Sequence, residues 1–321
     1  MKNVYNGSMN PVTYKDAFSA LVPAMIREDP DVFYLDADLM SCMGTTKWSA
    51  ENPVHSINCG VAEANMVGVA CGLAAAGFKP ILHTFGPFAS RRVYDQAFLS
   101  AGYAHNDITI IGSDPGVTAA LNGGTHMPFE DMALYRALPG STVIDISDVE
   151  QFKSVLMQAK DRPGVKYIRT TRKSTAKLYD EGAQTPIGKG IVLRDGTDAA
   201  IVASGIMVHE ALQAAETLAR EGIQAAVIDM FTVKPLDEDL LLSYAKKTGA
   251  IVTAENHNRI GGLRSAVAEA LVASCLVPLE YVAVEDEFGE VGPQSYLQQR
   301  FGLTADHVAQ KVRAAIARKS A

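Results

Sequence analysis

A single acidic residue at the start of a small-residue helix is the first candidate for chemistry. Glu63 precedes the segment Met66–Ala76, in which every residue is apolar or glycine. Such a run predicts a helix buried on all sides, so its acid is not fully solvated. An acid in apolar surroundings can share a proton with a ligand nitrogen. The alternative is an ordinary acid in the first turn of a helix, which interacts favourably with the helix dipole and stays exposed to water.

Two phenylalanines follow the next β-rich run. Pro80–Leu82 is typical of a strand, and Phe85 and Phe88 come shortly after it. Open α/β sheets bind their ligands at the carboxyl ends of parallel strands. Rings at that edge can stack on a flat heterocycle. Two phenylalanines in a strand-to-helix turn can also be core residues, and the sequence leaves that alternative open.

A glycine-containing loop and a basic strand end supply further candidates. His126 lies in the segment Asn122–Asp131, where an imidazole can act as a general acid or base. Arg169 and Arg172 lie at the end of a later strand, and forked guanidinium donors suit an oxyanion. The corresponding alternatives are a polar surface histidine and a solvated basic patch.

Short β-rich runs alternate with helix-period segments along nearly the whole chain. This alternation is typical of βαβ units and parallel sheets, which predicts an α/β fold. The polar stretch Lys173–Gly190 contains glycine and proline and is typical of a linker. We therefore predict two domains, residues 1–185 and 186–321, each a mostly parallel sheet flanked by helices.

Composition and charge exclude several classes of protein. The 321 residues are 48% hydrophobic and 20% charged, as in a globular chain. The net charge of −7 has the wrong sign for a nucleic-acid-binding surface, and no apolar run is long enough to span a bilayer. We expect a cytoplasmic protein, because the first residues hold no signal-like segment and the four cysteines lack disulfide or zinc spacing.

The order and spacing of these segments resemble the C-terminal half of transketolase, a thiamine diphosphate enzyme. The matching stretches are Tyr34–Leu39, Gly60–Glu63, His83–Phe85, Thr125–Asp131, Tyr167–Arg172, Met230–Asp237, Glu255–His257 and Gly261–Leu263. Together they extend over nearly the whole chain. The resemblance implies a pyrimidine-binding domain followed by a transketolase C-terminal-like domain, as encoded separately in split, two-subunit transketolases.

The resemblance also implies a role for each candidate near the cofactor. Glu63 matches the glutamate that hydrogen-bonds the ring nitrogen of the aminopyrimidine. Phe85 matches the aromatic residue that stacks on that ring, and Phe88 lies where a second contact is expected. Asp38 matches an acid near the thiazolium ring. His126 matches a histidine that hydrogen-bonds the carbonyl region of the ketose.

Substrate recognition follows the family less closely. Arg169 and Arg172 fall where the family keeps an arginine for the substrate's terminal phosphate, and Arg172 is the better match. Asn122 stands where the family's acid reads a sugar hydroxyl. Tyr14 followed by Lys15 stands where the family has a phosphate-binding arginine. We therefore expect Asn122 to contact the substrate. We also expect the substrate's anionic end to differ from that of the family's ordinary sugar phosphates.

The family's metal-binding motif does not occur in this sequence. Transketolases hold the cofactor's diphosphate through a divalent ion bound by Gly-Asp-Gly and a later asparagine, and this sequence contains no Gly-Asp-Gly. The resemblance thus implies no metal ligand here, with Mg2+ or a similar ion bound by an N-terminal (α) partner subunit. We expect an α2β2 tetramer that shares thiamine diphosphate, with the helix after Glu63 at the interface.

We accordingly predict the C-terminal (β) subunit of a two-subunit transketolase, active only with its partner. This transferase of carbohydrate metabolism would move a two-carbon ketol unit from a ketose or its phosphate to an aldose or its phosphate. The alternatives are the β subunit of a 2-oxoacid dehydrogenase E1 component and a non-catalytic regulatory subunit of the same fold. The sequence leaves open the two sugars, the identity of the partner, the oligomeric state, and ketol against decarboxylative acyl transfer.

Overall fold

The structure, a computed structural model, describes residues 4–320. The chain divides into two compact units. The main boundary between them follows Pro186, next to the predicted boundary at residue 185. The first unit comprises Met1–Pro115, Leu134–Ile144 and Asp148–Pro186. The second unit comprises Gly116–Ala133, Asp145–Ser147 and Ile187–Ala321.

The first unit is built on a central sheet. Its strands are β1 Val32–Asp36, β2 Ser56–Asn58, β3 Lys79–Phe85, β4 Ile108–Ser113, β5 Thr142–Asp145 and β6 Val165–Thr170. They lie in the order β5-β6-β4-β3-β1-β2, and the pairs β1–β2, β1–β3, β3–β4 and β4–β6 are parallel. The carboxyl ends of β1, β3 and β4 therefore lie side by side.

Helices connect these strands. Those up to residue 159 are α1 Tyr14–Glu28, α2 Thr46–Glu51, α3 Glu63–Ala75, α4 Gly86–Ala89, α5 Tyr94–Gln96, α6 Asp131–Ala137 and α7 Val149–Ala159. A π-helical segment, Ala97–Tyr103, continues from α5. Thr13 caps α1 in a capping box with Asp16, which satisfies backbone donors at the helix start.

The second unit has a sheet of its own. The strands of this unit are β7 Ile191–Arg194, β8 Ala199–Ala203, β9 Ala225–Asp229, β10 Thr232–Lys234, β11 Ile251–Asn258 and β12 Leu279–Val284. Five of them lie in the order β12-β11-β8-β9-β7, in which only the β7–β9 pairing is antiparallel. The helices are α8 Met207–Arg220, α9 Glu238–Thr248, α10 Leu263–Ser274, α11 Gln294–Arg300 and α12 Ala305–Ala317. The predicted fold class, two α/β domains with mostly parallel sheets, is confirmed.

One long segment differs from the predicted division of the chain. Gly116–Ala133 belongs to the second unit, whereas the sequence division placed it in residues 1–185. The backbone N–H of Val117 donates to Asn256 Oδ1 at 3.0 Å, and that of Asn258 donates to Phe129 O at 2.8 Å. These bonds attach the segment to the end of β11, so neighbours along the chain are not its neighbours in space.

Helix α3 departs from the prediction of burial on every side. Met66, Val67 and Ala70 are buried, but Gly68 and Gly72 are exposed on another face. A Cβ atom built at either glycine meets nothing within 4 Å. The prediction is therefore wrong for this chain by itself, because one stripe of the helix faces solvent.

Two further observations bear on where the protein resides. Within residues 4–320, none of the helices combines the length and the apolar character that crossing a bilayer requires. The cysteines at positions 42, 59, 71 and 275 are free thiols. The cytoplasmic location stays a prediction.

A buried lysine on β6 gives a testable pH dependence. Lys166 is 1% exposed, its Nζ donates to Arg162 O at 2.7 Å, and burial lowers the pKa of this amine to about 8 from 10.5. Between those two pH values the unfolded chain binds more protons than the folded one, so stability rises with pH there. Below pH 8 the ammonium is charged in both states and its burial penalty is fully present.

We therefore expect Lys166→Met to stabilise the chain near pH 7, by on the order of 1–3 kcal/mol. The gain should shrink as the pH rises from about 8 to about 10. Thermal unfolding across this range measures the effect. Lys47→Met, at an exposed position on α2, is the control and should show no such trend. A lower melting temperature for Lys166→Met at pH 7 would contradict the prediction.

Candidate functional site

A buried polar network joins the carboxyl ends of three adjacent strands. Asp36 Oδ2 accepts from the Tyr34 hydroxyl at 2.6 Å and lies 2.9 Å from His83 Nδ1. His83 Nε2 lies 3.0 Å from Ser113 Oγ. The acid–imidazole–hydroxyl order is that of a hydrolytic triad, but all four side chains are 0% exposed and cannot reach a substrate. The network instead fixes the residues that follow β1, β3 and β4.

Glu63 is the first residue of α3 and is 3% exposed. Its Oε1 accepts a hydrogen bond from Arg92 Nη1 at 2.8 Å, and the Arg92 side chain is 45% exposed. A buried carboxylate needs a hydrogen-bonded partner, and Arg92 supplies it. The sequence prediction that this acid is not fully solvated agrees with the structure. The arginine partner was missed, because it lies on a separate turn.

Phe85 and Phe88 form an aromatic pair, and Arg92, the partner of Glu63, contacts the Phe88 ring. Both side chains are half-buried, whereas the intervening Gly86 and Pro87 are buried. The two ring centroids lie 6.3 Å apart at an interplanar angle of 49°. Arg92 Cζ lies 3.8 Å from the centroid of Phe88. The two phenylalanines are therefore not fully buried core residues, the alternative that the sequence left open, because part of each side chain stays exposed.

Asp38 is held at the end of β1 in a conformation that few residues adopt. It is exposed, and its φ of 65° lies in the left-handed region. Its backbone N–H donates to Asn58 Oδ1 at 3.1 Å, and its Oδ1 accepts from Asn58 Nδ2 at 3.2 Å. Asn58 Oδ1 also accepts from the N–H of Gly60. Asn58 thereby links Asp38 to the turn before Glu63, a role the sequence did not reveal.

The two predicted arginines have different environments. Arg169 lies within β6 and is 0% exposed, so its burial argues against contact with a substrate. Arg172 follows the strand, and its side chain is 28% exposed and paired with Asp114, which is 3% exposed. Asp114 Oδ1 also accepts from the backbone N–H of Arg172 at 3.1 Å. Asp114, which was not singled out from the sequence, thus fixes the direction of the guanidinium.

Arg172 lines a basic pocket of about 510 Å³ in the first unit. The lining residues are Thr13, Lys15, Ser41, Cys42, Arg172, Lys173 and Ser174. Lys15 Nζ donates to Ser41 O at 3.0 Å, whereas Tyr14 is 0% exposed and belongs to the core. Three cations with hydroxyl groups between them suit an anion. Arg172 Cζ also lies 4.9 Å from the centroid of Phe85, so the pocket adjoins the aromatic pair.

Asn122 and His126 belong to the second unit, unlike the other predicted site residues. Asn122 is exposed and His126 is half-buried, with His126 Nδ1 2.9 Å from Thr125 Oγ1. Their loop contains Ala120 at φ 49°, a strained conformation for a non-glycine residue. The Asn256 side chain accepts from Val117 at the start of the same loop, so Asn256 helps to hold the loop.

The first-unit residues fit a flat nitrogen heterocycle. A buried carboxylate that can share a proton with a ring nitrogen is linked through Arg92 to two half-buried rings, and a cation-lined pocket adjoins them. Among the described residues, no group of three or more histidines, cysteines, aspartates or glutamates is placed to hold a metal ion. The prediction that a partner supplies the metal ligands stays a prediction.

Comparison with known families matches both halves of the chain. Residues 10–177 match the model described as transketolase, pyrimidine binding domain. Residues 188–308 match the model described as transketolase, C-terminal domain. The chain therefore belongs to the transketolase family, which confirms the resemblance predicted from the sequence.

Individual relatives align over nearly the full chain. The 6-deoxy-6-sulfo-D-fructose transketolase subunit SqwH of Clostridium sp. (strain MSTE9) is 47% identical over 306 residues, 95% of each chain. An apulose-4-phosphate transketolase subunit of Phocaeicola vulgatus is 30% identical over 300 residues, 93% of this chain and 96% of the relative. A solved structure, "Split gene transketolase, inactive beta4 tetramer", superposes with a TM-score of 0.88 at 36% identity, covering 97% of this chain and 100% of that one.

Proposed function

We propose that this chain is the C-terminal (β) subunit of a two-subunit transketolase. It transfers a two-carbon ketol unit from a ketose to an aldose with thiamine diphosphate. The observation that carries the proposal is the buried carboxylate of Glu63, which Arg92 links to the half-buried ring of Phe88 and, beside it, that of Phe85. An acid that can share a proton, together with rings that can stack, suits an aminopyrimidine, and two of the chain's relatives are named as transketolase subunits.

Each residue has a proposed task. When bound, the cofactor supplies the carbanion chemistry that amino-acid side chains lack. Glu63 exchanges a proton with the pyrimidine ring nitrogen, and Phe85 and Phe88 orient the ring. Asp38 faces the thiazolium side. His126 hydrogen-bonds the carbonyl region of the ketose.

The basic pocket is proposed to bind the anionic end of the sugar, with Arg172 as its anchor. Asn122 is proposed to read a sugar hydroxyl, since an amide both donates and accepts. The relative with 47% identity is named for a sulfo-sugar, and Tyr14 followed by Lys15 stands where the family has a phosphate-binding arginine. We therefore propose a ketose with a sulfonate end as donor. Parallel assays with the matching phosphate ester distinguish the two anions.

The cofactor's diphosphate and its Mg2+ are proposed to bind an N-terminal (α) subunit in an α2β2 tetramer. The exposed stripe of α3 supports this assembly, because Gly68 and Gly72 leave room for another backbone. Val61, just before the helix, is 73% exposed. A solved relative is described as an inactive β4 tetramer, which supports the need for a different partner.

The experiment compares the purified chain with the chain reconstituted with an N-terminal transketolase subunit, thiamine diphosphate and Mg2+. We expect ketol transfer from the complex and none from either subunit alone. Activity of the isolated chain would refute the shared site. A complex active only on 2-oxoacids would favour the dehydrogenase alternative, and an assembled but inactive complex would favour the regulatory one.

A further inference from the structure

Arg92 occupies both features that the proposed function assigns to the pyrimidine ring. Its Nη1 donates to Glu63 Oε1 at 2.8 Å, and its Cζ lies 3.8 Å from the centroid of Phe88. The guanidinium is planar, cationic and rich in N–H donors. It therefore makes, in this chain, the two contacts that a protonated aminopyrimidine would make: a charged hydrogen bond to the acid and a stack on an aromatic face.

The need for such a contact follows from burial. Glu63 is 3% exposed, and an isolated carboxylate in that position is strongly unfavourable. A second cation at the same carboxylate is also unfavourable, because a protonated ring nitrogen and a guanidinium repel each other. Because Arg92 already binds Glu63 Oε1 and lies over the Phe88 ring, a pyrimidine that takes the same oxygen and the same ring face displaces it.

The Arg92 side chain can move into solvent. Its side chain is 45% exposed, and it lies in the short 3-10 turn Arg91–Val93. Arg172, the other arginine beside the aromatic pair, is instead anchored by Asp114, which is 3% exposed. Arg92 is therefore the arginine that can swing into solvent while the rest of the site stays in place.

We propose that Arg92 is a placeholder for the cofactor's aminopyrimidine: it occupies the contacts with Glu63 and Phe88 in the absence of cofactor. It moves away when thiamine diphosphate binds. This inference rests on the proposed function. The paired state competes with the cofactor, so the apparent affinity is lowered by the fraction of molecules in which Glu63 is occupied. Removing the guanidinium leaves the buried acid to the ring nitrogen alone, and cofactor binding becomes tighter.

The test measures thiamine diphosphate affinity in the reconstituted complex, without substrate, by calorimetry or fluorescence titration. Arg92→Gln should lower the dissociation constant about three- to tenfold, the range for a partly exposed ion pair. Arg91→Gln is the matched control, since it removes the same charge from the adjacent residue and corrects for long-range attraction of the diphosphate. Arg92→Lys keeps the charge without the planar fork and should fall between wild type and Arg92→Gln.

Weaker or unchanged binding by Arg92→Gln, relative to Arg91→Gln, would overturn the placeholder. Failure of the wild-type complex to bind thiamine diphosphate would instead overturn the proposed function. A second readout covers a variant that folds poorly. In the isolated chain, the melting temperatures of Glu63→Gln, Arg92→Gln and the double variant should be non-additive. That coupling should disappear in the cofactor-saturated complex, and its persistence there would show that Arg92 never leaves.

Discussion

Replacing Glu63 with glutamine is expected to lower the turnover of the reconstituted enzyme by at least about a hundredfold, as for loss of a positioned acid–base group. Glutamine keeps the shape of the side chain and can still hydrogen-bond the pyrimidine. It cannot exchange a proton with the ring nitrogen. The loss should therefore appear in kcat, with a smaller change in cofactor affinity.

Two comparisons separate this effect from a structural one. Glu51→Gln, at the exposed end of α2, removes the same charge and should retain wild-type turnover. Glu63→Gln also leaves Arg92 without its carboxylate, so the melting temperature of the isolated chain is measured alongside. Full turnover in Glu63→Gln would leave only the non-catalytic interpretation of this chain.

The sequence located the acid but not its partner, for a physical reason. A run of apolar and glycine residues after Glu63 was enough to predict a helix whose first acid is withdrawn from water. The contact with Arg92 depends on how α3 and the turn after α4 pack, and nothing in local spacing encodes that approach. The exposed stripe of α3 was missed for a related reason, because hydropathy alone does not tell which face of an apolar helix packs against the rest of its own chain.

The position of each arginine relative to the end of β6 determines whether its side chain is buried. Arg169 and Arg172 look equivalent in the sequence, but β6 ends at Thr170. A central strand of a parallel sheet is covered on both faces, which buries Arg169, and the residue beyond the strand end escapes. The pairing of Arg172 with Asp114 joins the ends of β6 and β4, a long-range contact that no motif announces.

The loop with Asn122 and His126 shows the same limit at the level of domains. Chain continuity placed it with residues 1–185, whereas Asn256 and Asn258 attach it to the second unit. Both asparagines lie at the end of a recognisable strand, β11, but the sequence does not indicate that their hydrogen-bonding groups contact residues 117 and 129. Motif order was sufficient for the family and the fold, and insufficient for this attachment.

Replacing Arg172 with methionine is expected to raise the KM for the anionic ketose about 10- to 100-fold with little change in kcat. This range corresponds to the loss of charge-assisted hydrogen bonds, each contributing about 1.5–3 kcal/mol. Such bonds to the far end of the sugar are the same in the ground and transition states, so their loss lowers binding uniformly. A ketose of equal length without the anionic group should lose nothing.

The structure also supplies a check on this interpretation. Arg172→Met removes the cation paired with the buried Asp114 and leaves it only neutral hydrogen-bond donors, which can disturb the strand ends by itself. Lys15→Met removes a second cation from the same pocket without that cost, because among residues 4–320 the Lys15 ammonium hydrogen-bonds only the backbone oxygen of Ser41. It should raise the KM for the anionic ketose about tenfold, as for loss of one ionic hydrogen bond. Equal losses on charged and uncharged ketoses in both variants would show that the pocket supports the fold and does not recognise the anion.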